Sequence, residues 1–367
     1  MIALTMNDNN HILEVAGRFN TDGNTVKAEP LGNGLINDTY IVKTDNDKRY
    51  VLQRINTDIF RDPALLQRNL ILITDHIRRI LQKQGCKDIG RRVLTPVETK
   101  DDHELYVKSG DEAWRMTEYI EGSHTEENLT PRMAACVGEA FANFHSYFAT
   151  EEAPEISETI PDFHNIAFRL QQLRDAVRTD QAGRLSEVKD MVDYLLSREE
   201  EMLRHELLHR QNKLPKRTAH CDTKVNNILF DSDGSILCVI DLDTVMPGFV
   251  LSDFGDFIRT GANTGKEDDE NLDNVGVDMV IFRAFAEAYV RNAKFLTTEE
   301  KRLLPFGARL LTYMQTVRFL TDYINGDIYY KTQYPKHNLV RTRAQLKLLH
   351  DIDAHMDEME QFITNIS

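Results

Sequence analysis

The sequence predicts an α+β fold in which a β-rich N-terminal part of about 120 residues precedes a larger, mostly helical part. Three observations lead to this prediction. In the first third of the chain, short runs of β-branched and aromatic residues alternate with turn residues around a single helical pattern. After Gly122, apolar residues recur at helical spacing over long stretches. One strand hairpin interrupts the helical part.

The N-terminal part contains four segments of strand character, at residues 40–43, 50–55, 104–107 and 114–120. A helix is predicted between the second and the third of these segments. Asp62 can cap it, Pro63 suits its first position, and Gly85 can end it. Apolar residues at helical spacing run from Leu66 to Leu81, so we expect this helix to bury one face.

The C-terminal part contains five stretches of helical pattern, at residues 131–148, 165–211, 276–293, 299–324 and 340–367. In the first of them, Phe141 and Phe144 lie on a shared apolar face. The interrupting hairpin comprises residues 227–230 and 236–240, which are joined by a Ser-Asp-Gly turn.

Composition excludes several classes of function. The 367 residues are 41% hydrophobic and 28% charged, which is ordinary for a soluble globular protein. The net charge of −15 would repel a phosphate backbone, so we expect no nucleic-acid partner. The sequence shows neither a long uncharged apolar run nor a signal-peptide pattern, and its four cysteines have no CxxC spacing. We therefore expect a cytoplasmic protein with no membrane partner.

A motif of polar residues precedes the hairpin and reads H-x-D-x-K-x-x-N from His220 to Asn227. Phosphoryl transfer needs a carboxylate to orient and deprotonate the attacking hydroxyl, and oxygen ligands to hold Mg²⁺ on the nucleotide. Asp222 is the candidate base, and Asn227 and Asp241, the latter at the end of the hairpin, are the candidate metal ligands. Lys224 is placed to neutralise charge on the transferred group. The sequence therefore predicts a kinase that uses ATP and Mg²⁺.

These segments resemble the catalytic core of the aminoglycoside phosphotransferase and choline kinase family. With residues 239–248 and 253–256 included, the resemblance is greatest to the N-acetylhexosamine 1-kinases. It implies a two-lobed, protein-kinase-like fold. Residues 1–120 would form the nucleotide-binding lobe, and residues 121–367 the lobe that supplies catalysis and acceptor binding.

The resemblance also implies roles for residues around the motif. Asp253 would support the catalytic loop through hydrogen bonds, and His220 would lie behind the reacting groups. Asp243 is open to two interpretations, since it could stand beside the metal site or cap the turn that follows it.

The expected nucleotide loop contains Gly32, Asn33 and Gly34 and lies before the first strong strand, where backbone N–H groups can approach phosphates. By resemblance, residues 117–120 would link the two lobes. Backbone groups at Glu118 and Ile120 would then bind adenine.

The family places a strand cation against the nucleotide phosphates, but this strand has no Lys. Arg54 is the candidate if Leu52 faces the adenine, and Gln53 is the alternative on the other face. The helix after it has no Glu to pair with such a cation, so Asn69 or Asp75 would have to substitute.

Candidate acceptor-binding residues come from two segments of the helical part: His164, Arg318, Asp322 and Tyr323. Residues 328–349 contain five Lys or Arg and no acidic residue, which suits an anion better than a polycation.

The predicted substrate is the anomeric hydroxyl of an N-acetylhexosamine. Three alternatives stay open. The acceptor could be choline, an aminoglycoside, N-acetylmuramic acid or another small hydroxyl compound. The chain could be a nucleotide-binding scaffold without activity, because the strand Lys and the helix Glu are missing. A metal hydrolase would leave Lys224 and Asn227 without a role.

Overall fold

The computed structural model describes residues 6–32, 36–126 and 129–366. They pack into two compact units, each with its own hydrophobic core. The first unit consists of the described residues up to His124 together with Ala153–Ile160 and Leu229–Val245. The second consists of the described residues of 125–152, 161–228 and 246–366. The predicted α+β class, with a small antiparallel sheet followed by a helical region, is confirmed.

The first unit contains a five-stranded antiparallel sheet with the strand order β1-β2-β3-β5-β4. Its strands are β1 (Thr25–Pro30), β2 (Asp38–Thr44), β3 (Arg49–Ile55), β4 (Val107–Ser109) and β5 (Glu112–Glu118). Helix α1 (Met6–Ala16) packs on one face, where its apolar residues join Leu52, Trp114 and Met116 in a core. Because side chains alternate along a strand, the opposite face carries Gln53 and Arg115 as direct cross-strand neighbours.

Helices α2 (Pro63–Lys83) and α3 (Ile89–Arg92) follow β3. The predicted start of α2 is confirmed, since the Asp62 carboxylate accepts a hydrogen bond of 3.0 Å from the Leu65 amide. The side chain of Asn69 donates to the carbonyl of Ser157 at 2.8 Å. That bond attaches Ala153–Ile160 to the first unit.

The hairpin that interrupts the helical part of the sequence consists of β7 (Ile228–Phe230) and β8 (Ile236–Val239). From Leu229 onward it packs in the first unit, not with the helices that surround it in sequence. Arg91 of α3 forms an ion pair with Asp231 at 2.9 Å, and Arg92 donates to the carbonyl of Ile236 at 2.7 Å. A single cut near residue 120 therefore omits two segments of the first unit.

The second unit is helical apart from the pair β6 (Arg217–Ala219) and β9 (Met246–Gly248). Its helices are α4 (Pro131–Tyr147), α5 (Ile166–Thr179), α6 (Leu185–Ser197), α7 (Glu199–Met202), α8 (Arg204–Arg210), α9 (Val250–Gly261), α10 (Met279–Asn292), α11 (Thr298–Asn325), α12 (His337–Ala354) and α13 (Met356–Asn365). The predicted run at 165–211 is broken into four helices. Asp180, with φ of 37°, and Gly183, with φ of 65°, adopt left-handed conformations that end α5.

Helix α11 lies at the centre of the second unit, and most of its residues are buried. Its backbone touches that of α9 at two glycines. A Cβ at Gly255 would lie 2.0 Å from the carbonyl oxygen of Gly307, and a Cβ at Gly307 would lie 1.9 Å from that of Leu251. Only glycine permits this approach, which fixes where α9 carries its acidic residues. Across the described ranges, we find no helix with an apolar stretch sufficient to cross a membrane.

Candidate active site

The H-x-D-x-K-x-x-N motif forms a loop between β6 and a short 3-10 turn at Val225–Asn227. Asp253 on α9 holds the start of this loop. Its carboxylate accepts hydrogen bonds from the backbone amides of His220 at 2.5 Å and of Cys221 at 2.8 Å. Cys221 has a left-handed φ of 63°, and these two bonds hold the amides that lead into that conformation. The loop is therefore fixed through its backbone.

Two further residues that sequence reasoning did not select complete this support. His145 on α4 contacts the Asp253 carboxylate with its Nε2 at 2.7 Å and the Tyr289 hydroxyl with its Nδ1 at 2.8 Å. Asp256, one turn after Asp253, accepts from the amide of Thr223 at 3.1 Å. The spacing of Asp253 and Asp256 on one helix face was the available signal for the second residue.

The charge of Asp253 is stabilised despite its burial. Burial alone raises the pKa of this carboxyl, but the hydrogen bonds with the His145 side chain and the His220 amide hold it below its ordinary value. The His220 side chain is fully buried, with its ring edge-on to Phe141 and Phe144 at 5.6 Å. Asp253 and His220 thus support the loop from its buried side.

Asp222 lies at the accessible side of the loop, with 21% of its side chain exposed. Its Oδ1 is 2.7 Å from Nζ of Lys224, and its Oδ2 accepts from the Asn227 side-chain amide at 3.0 Å. Burial raises the pKa of Asp222, but Lys224 and Asn227 outweigh that effect and lower it. The charge of Asp222 likewise raises the pKa of Lys224 against the effect of burial. At neutral pH the pair is a carboxylate beside an ammonium.

Asn227 is oriented by the same loop. Its side-chain nitrogen donates to the carbonyl of Asp222 at 2.8 Å as well as to the carboxylate. The nitrogen is therefore committed to the loop, and the amide oxygen is the atom of Asn227 with the chemistry to bind a cation.

In the first unit, Asp241 follows β8 in a left-handed conformation with φ of 56°, and a 3-10 turn at Leu242–Thr244 comes next. Asp243 in that turn is 3% exposed. Its carboxylate accepts from both terminal nitrogens of Arg115, one of them at 2.8 Å, and from the side-chain amide of Asn37 at 2.8 Å. Asp243 thus pairs with an arginine of the sheet.

Arg115 of β5 carries a guanidinium group on the face of the sheet that also carries Gln53. Its Nε donates to Oε1 of Gln53 at 3.0 Å, so the cation lies on the neighbouring strand at the cross-strand position of Gln53. Sequence reasoning missed Arg115 because the register of β3 against β5 is what brings it there. The signal was available only once the two strands were known to pair.

Arg54 lies on the opposite face of the sheet. Its guanidinium forms ion pairs with Asp38 and, at 2.6 Å, with Glu112, and 44% of the side chain is exposed. Leu52, on the same face, is buried in the core under α1. Leu52 therefore does not face an open ligand site, which was the condition for selecting Arg54.

The other residues predicted to bind the nucleotide lie before β2 and at or just after the end of β5. Gly32 has a left-handed φ of 67°, whereas Asn33 and Gly34 lie outside the described residues. Glu118 has an exposed side chain, and its amide donates to the Thr95 carbonyl at 2.9 Å. The carbonyl of Ile120 accepts from the Ser123 hydroxyl at 2.6 Å.

His164 and Arg318 are brought together by Phe163. The His164 ring stacks on Phe163 with centroids 4.7 Å apart, and the Arg318 guanidinium lies 5.4 Å from the same ring. Nδ1 of His164 is buried and makes no hydrogen bond. Removal from solvent lowers the pKa of His164 to about 4, so the imidazole is neutral at pH 7.

The polar groups of Asp322 and Tyr323 already form hydrogen bonds within the second unit, which does not favour a role in binding the phosphoryl acceptor. The Asp322 carboxylate accepts from the amides of residues 328–330 at 2.8 to 3.0 Å and from Asn338 at 2.8 Å, which folds the segment after α11. Tyr323 is fully buried, and its hydroxyl donates to Glu187 at 2.7 Å. The sequence alone does not distinguish these two residues from Arg318 as candidates for binding the phosphoryl acceptor.

Comparison with known proteins identifies the family and the fold of this chain. A family model described as the phosphotransferase enzyme family matches residues 27–302. An aminoglycoside phosphotransferase from Alicyclobacillus acidocaldarius is 14% identical, with 99% of this chain and 98% of that chain covered and a TM-score of 0.58. The amicoumacin kinase hAmiN, solved in complex with AMP-PNP, Ca²⁺ and Ami, is 14% identical over 98% of this chain and 96% of that chain, with a TM-score of 0.59.

A third solved structure, an ethanolamine kinase of Plasmodium vivax, is 14% identical, with 87% of this chain and 82% of that chain covered and a TM-score of 0.50. At these identities the solved structures show the fold, and the family model, which spans most of the chain, shows the family. The kinase-like fold inferred from the motif is confirmed. This chain therefore belongs to the phosphotransferase enzyme family.

Proposed function

We propose that this phosphotransferase moves the γ-phosphoryl group of ATP to the anomeric hydroxyl of an N-acetylhexosamine and releases the sugar 1-phosphate. The observation that carries the phosphoryl-transfer chemistry is the ionised, partly exposed Asp222, fixed by a loop that Asp253 holds through its backbone. The acceptor class rests on the resemblance of residues 239–248 and 253–256 to the N-acetylhexosamine 1-kinases.

In this proposal Asp222 accepts a hydrogen bond from the sugar hydroxyl, orients its oxygen toward the γ-phosphorus and takes up the proton as the oxygen attacks. The lowered pKa of Asp222 keeps it in the form that can accept this proton. Lys224 beside it remains charged and offsets the negative charge of the transferred group. The bond between the γ-phosphorus and the bridging oxygen breaks, and ADP leaves with that oxygen on its β-phosphate.

A divalent ion, when bound, would neutralise charge on the nucleotide phosphates. The donor set fits such an ion, because Asp241 offers a carboxylate and Asn227 an amide oxygen, and Mg²⁺ binds few protein oxygens together with phosphate oxygens.

Arg115 supplies a cation beside Gln53, on a sheet whose strand β3 has no Lys. Its side chain is 5% exposed and shares Asp243 with Asn37, which follows the expected nucleotide loop. We assign Arg115 the electrostatic role toward the nucleotide phosphates and Asp243 the role of its acidic partner, in place of the absent Lys and Glu. With this assignment, the absence of a strand Lys and a helix Glu no longer favours an inactive scaffold.

The acceptor is assigned to the segment around Phe163. The unpartnered Nδ1 of His164 is a hydrogen-bonding group suited to a sugar hydroxyl or amide, and the neutral ring adds no charge. Arg318 adds a cation within reach of the same segment. A polycationic acceptor such as an aminoglycoside is disfavoured by that charge.

Replacement of Asp222 by Asn tests the catalytic assignment. We expect turnover to fall by roughly 10² to 10⁴, the size of a general-base contribution, with ATP binding little changed. Asp190→Asn on the exposed face of α6 is the matched control and should keep wild-type turnover. Unchanged turnover in Asp222→Asn would remove the base from the mechanism. A panel of N-acetylhexosamines, N-acetylmuramic acid, choline and aminoglycosides, followed by ADP release, tests the acceptor separately.

A further inference from the structure

A groove of about 340 Å³ lies in the second unit between α5, α11 and the segment that follows α11. Arg169, Gln172, Arg318, Tyr329 and Tyr330 are among its lining residues. Both arginines line this groove, together with the aspartates Asp175 and Asp322.

The side chain of Arg169 is buried, with 8% of the residue exposed, and one of its three nitrogens makes no hydrogen bond. One terminal nitrogen donates to the Phe163 carbonyl at 3.1 Å and the other to Oε1 of Gln172 at 3.0 Å. Its Nε is buried and makes no hydrogen bond. A buried N–H of a charged group without an acceptor is costly, which points to an absent ligand.

Arg318 reaches the groove from α11 without a carboxylate partner. Its guanidinium lies over the rings of Phe163 and Tyr330, at 5.4 and 5.6 Å, and donates to Gln315 at 3.2 Å. Among the residues that the structure describes, no carboxylate oxygen forms an ion pair with either Arg169 or Arg318 within 4.0 Å. The direct contacts of the two guanidinium groups are aromatic rings and amide oxygens.

The two acidic residues that line the groove already have other partners. Asp175 forms an ion pair with Arg178 at 2.9 Å, and the oxygens of Asp322 accept from three backbone amides and from Asn338. The proximity of Arg318 adds to burial in lowering the pKa of Arg169 to about 10. The two positive charges thus repel each other, and an anion placed between them would relieve that repulsion.

We propose that this groove binds a small oxyanion, a carboxylate or phosphate group, through the guanidinium groups of Arg169 and Arg318. Planar guanidinium groups match the geometry of such anions and can donate two parallel hydrogen bonds to one group. Nε and a terminal nitrogen of Arg169 form one edge of that kind.

The oxyanion has two possible sources, a free ion or a substituent on the acceptor. Phe163 connects the groove to His164, because its carbonyl accepts from Arg169 while its ring stacks on His164. A carboxylate carried by the sugar could therefore reach the groove, an assignment that rests on the proposed function. A free phosphate ion needs no such activity.

The first arm of the test is titration calorimetry of the full chain with inorganic phosphate at constant ionic strength. Wild-type protein and Arg210→Gln, an exposed control on α8, should bind phosphate equally. Arg169→Gln should weaken binding about tenfold or more, and Arg169→Lys should weaken it less because the charge remains. Circular dichroism and the melting temperature show whether each variant is folded, and Arg318→Lys provides a second route if Arg169→Gln is not.

The second arm compares kcat/KM for N-acetylmuramic acid, which carries a carboxylate, with kcat/KM for neutral N-acetylglucosamine. If Arg169→Gln lowers this ratio about tenfold and the wild type binds no phosphate, the acceptor is the source of the oxyanion. Phosphate binding that depends on Arg169 identifies the free ion, even if no sugar is phosphorylated. If folded Arg169 variants match Arg210→Gln in both arms, the groove is not an oxyanion site.

Discussion

Removal of Arg115 should destabilise the first unit by several kcal/mol. The side chain is 5% exposed, and its three nitrogens are all used, with Nε on Gln53 and the two terminal nitrogens on Asp243. In Arg115→Met the Asp243 carboxylate stays buried with Asn37 as its remaining side-chain donor. Breaking a buried ion pair on one side costs about 3–5 kcal/mol, because the other charge is left uncompensated.

The chain contains a single tryptophan, Trp114, which is buried next to Arg115 in β5. Its fluorescence during urea unfolding therefore reports the first unit. A loss of about 3 kcal/mol should lower the urea midpoint by roughly 1 M or more at typical values of m. Arg49→Met on β3 is the control, because its ion pair with Glu121 is largely exposed and should contribute at most about 1 kcal/mol.

A double-mutant cycle separates the ion pair from packing. Asp243→Asn removes the charge that Arg115→Met leaves unpaired, so the double variant should be less destabilised than the sum of the single variants, with a coupling of about 2 kcal/mol. A midpoint change in Arg115→Met no larger than in Arg49→Met, or a coupling near zero, would show that Arg115 and Asp243 do not form a buried pair.

Three further predictions concern the second unit. Asp253→Asn keeps the shape of the side chain but replaces one acceptor oxygen with a donor that faces the loop amides. We therefore expect the free energy of unfolding to fall by about 1–3 kcal/mol and turnover to fall with it. Thermal unfolding and ADP release measure the two effects. His205 is fully buried, and burial lowers its pKa from 6.5 to about 4, so the unfolded chain binds the extra proton first. Stability should therefore fall by up to about 3 kcal/mol as pH drops from 6.5 to 4, and His205→Gln should flatten that slope in urea titrations. Gly255→Ala should cost about 3 kcal/mol or more, because the new Cβ would meet the Gly307 carbonyl at 2.0 Å, whereas Gly90→Ala, with open space, should leave the melting temperature nearly unchanged.

Local signals in the sequence predicted the elements that depend on local chemistry. The cap at Asp62 and the proline after it defined the start of α2, and the motif around Asp222 defined the loop. The Ser-Asp-Gly turn defined the hairpin of β7 and β8, but not the unit in which it packs. That partition reflects tertiary packing, in which Leu237 and Cys238 of β8 share a buried apolar cluster with Ile120.

Arg115 and His145, which sequence reasoning did not select, take their positions from tertiary neighbours. Arg115 faces Gln53 only because β3 and β5 pair in one register. His145 reaches Asp253 from another helix. Conversely, Tyr323 was selected for its polar group, yet the helix turns that group away to Glu187. Polarity in a sequence does not reveal which polar groups are already satisfied.

The most direct test of the proposed activity is ³¹P NMR of the product formed from ATP, Mg²⁺ and a mixture of N-acetylglucosamine and N-acetylgalactosamine. The proposal predicts a new sugar phosphate signal whose phosphorus is coupled to the anomeric proton, formed by the wild type and lost in Asp222→Asn. A phosphate on any other carbon, or no sugar phosphate at all while another acceptor in the panel is phosphorylated, would contradict it.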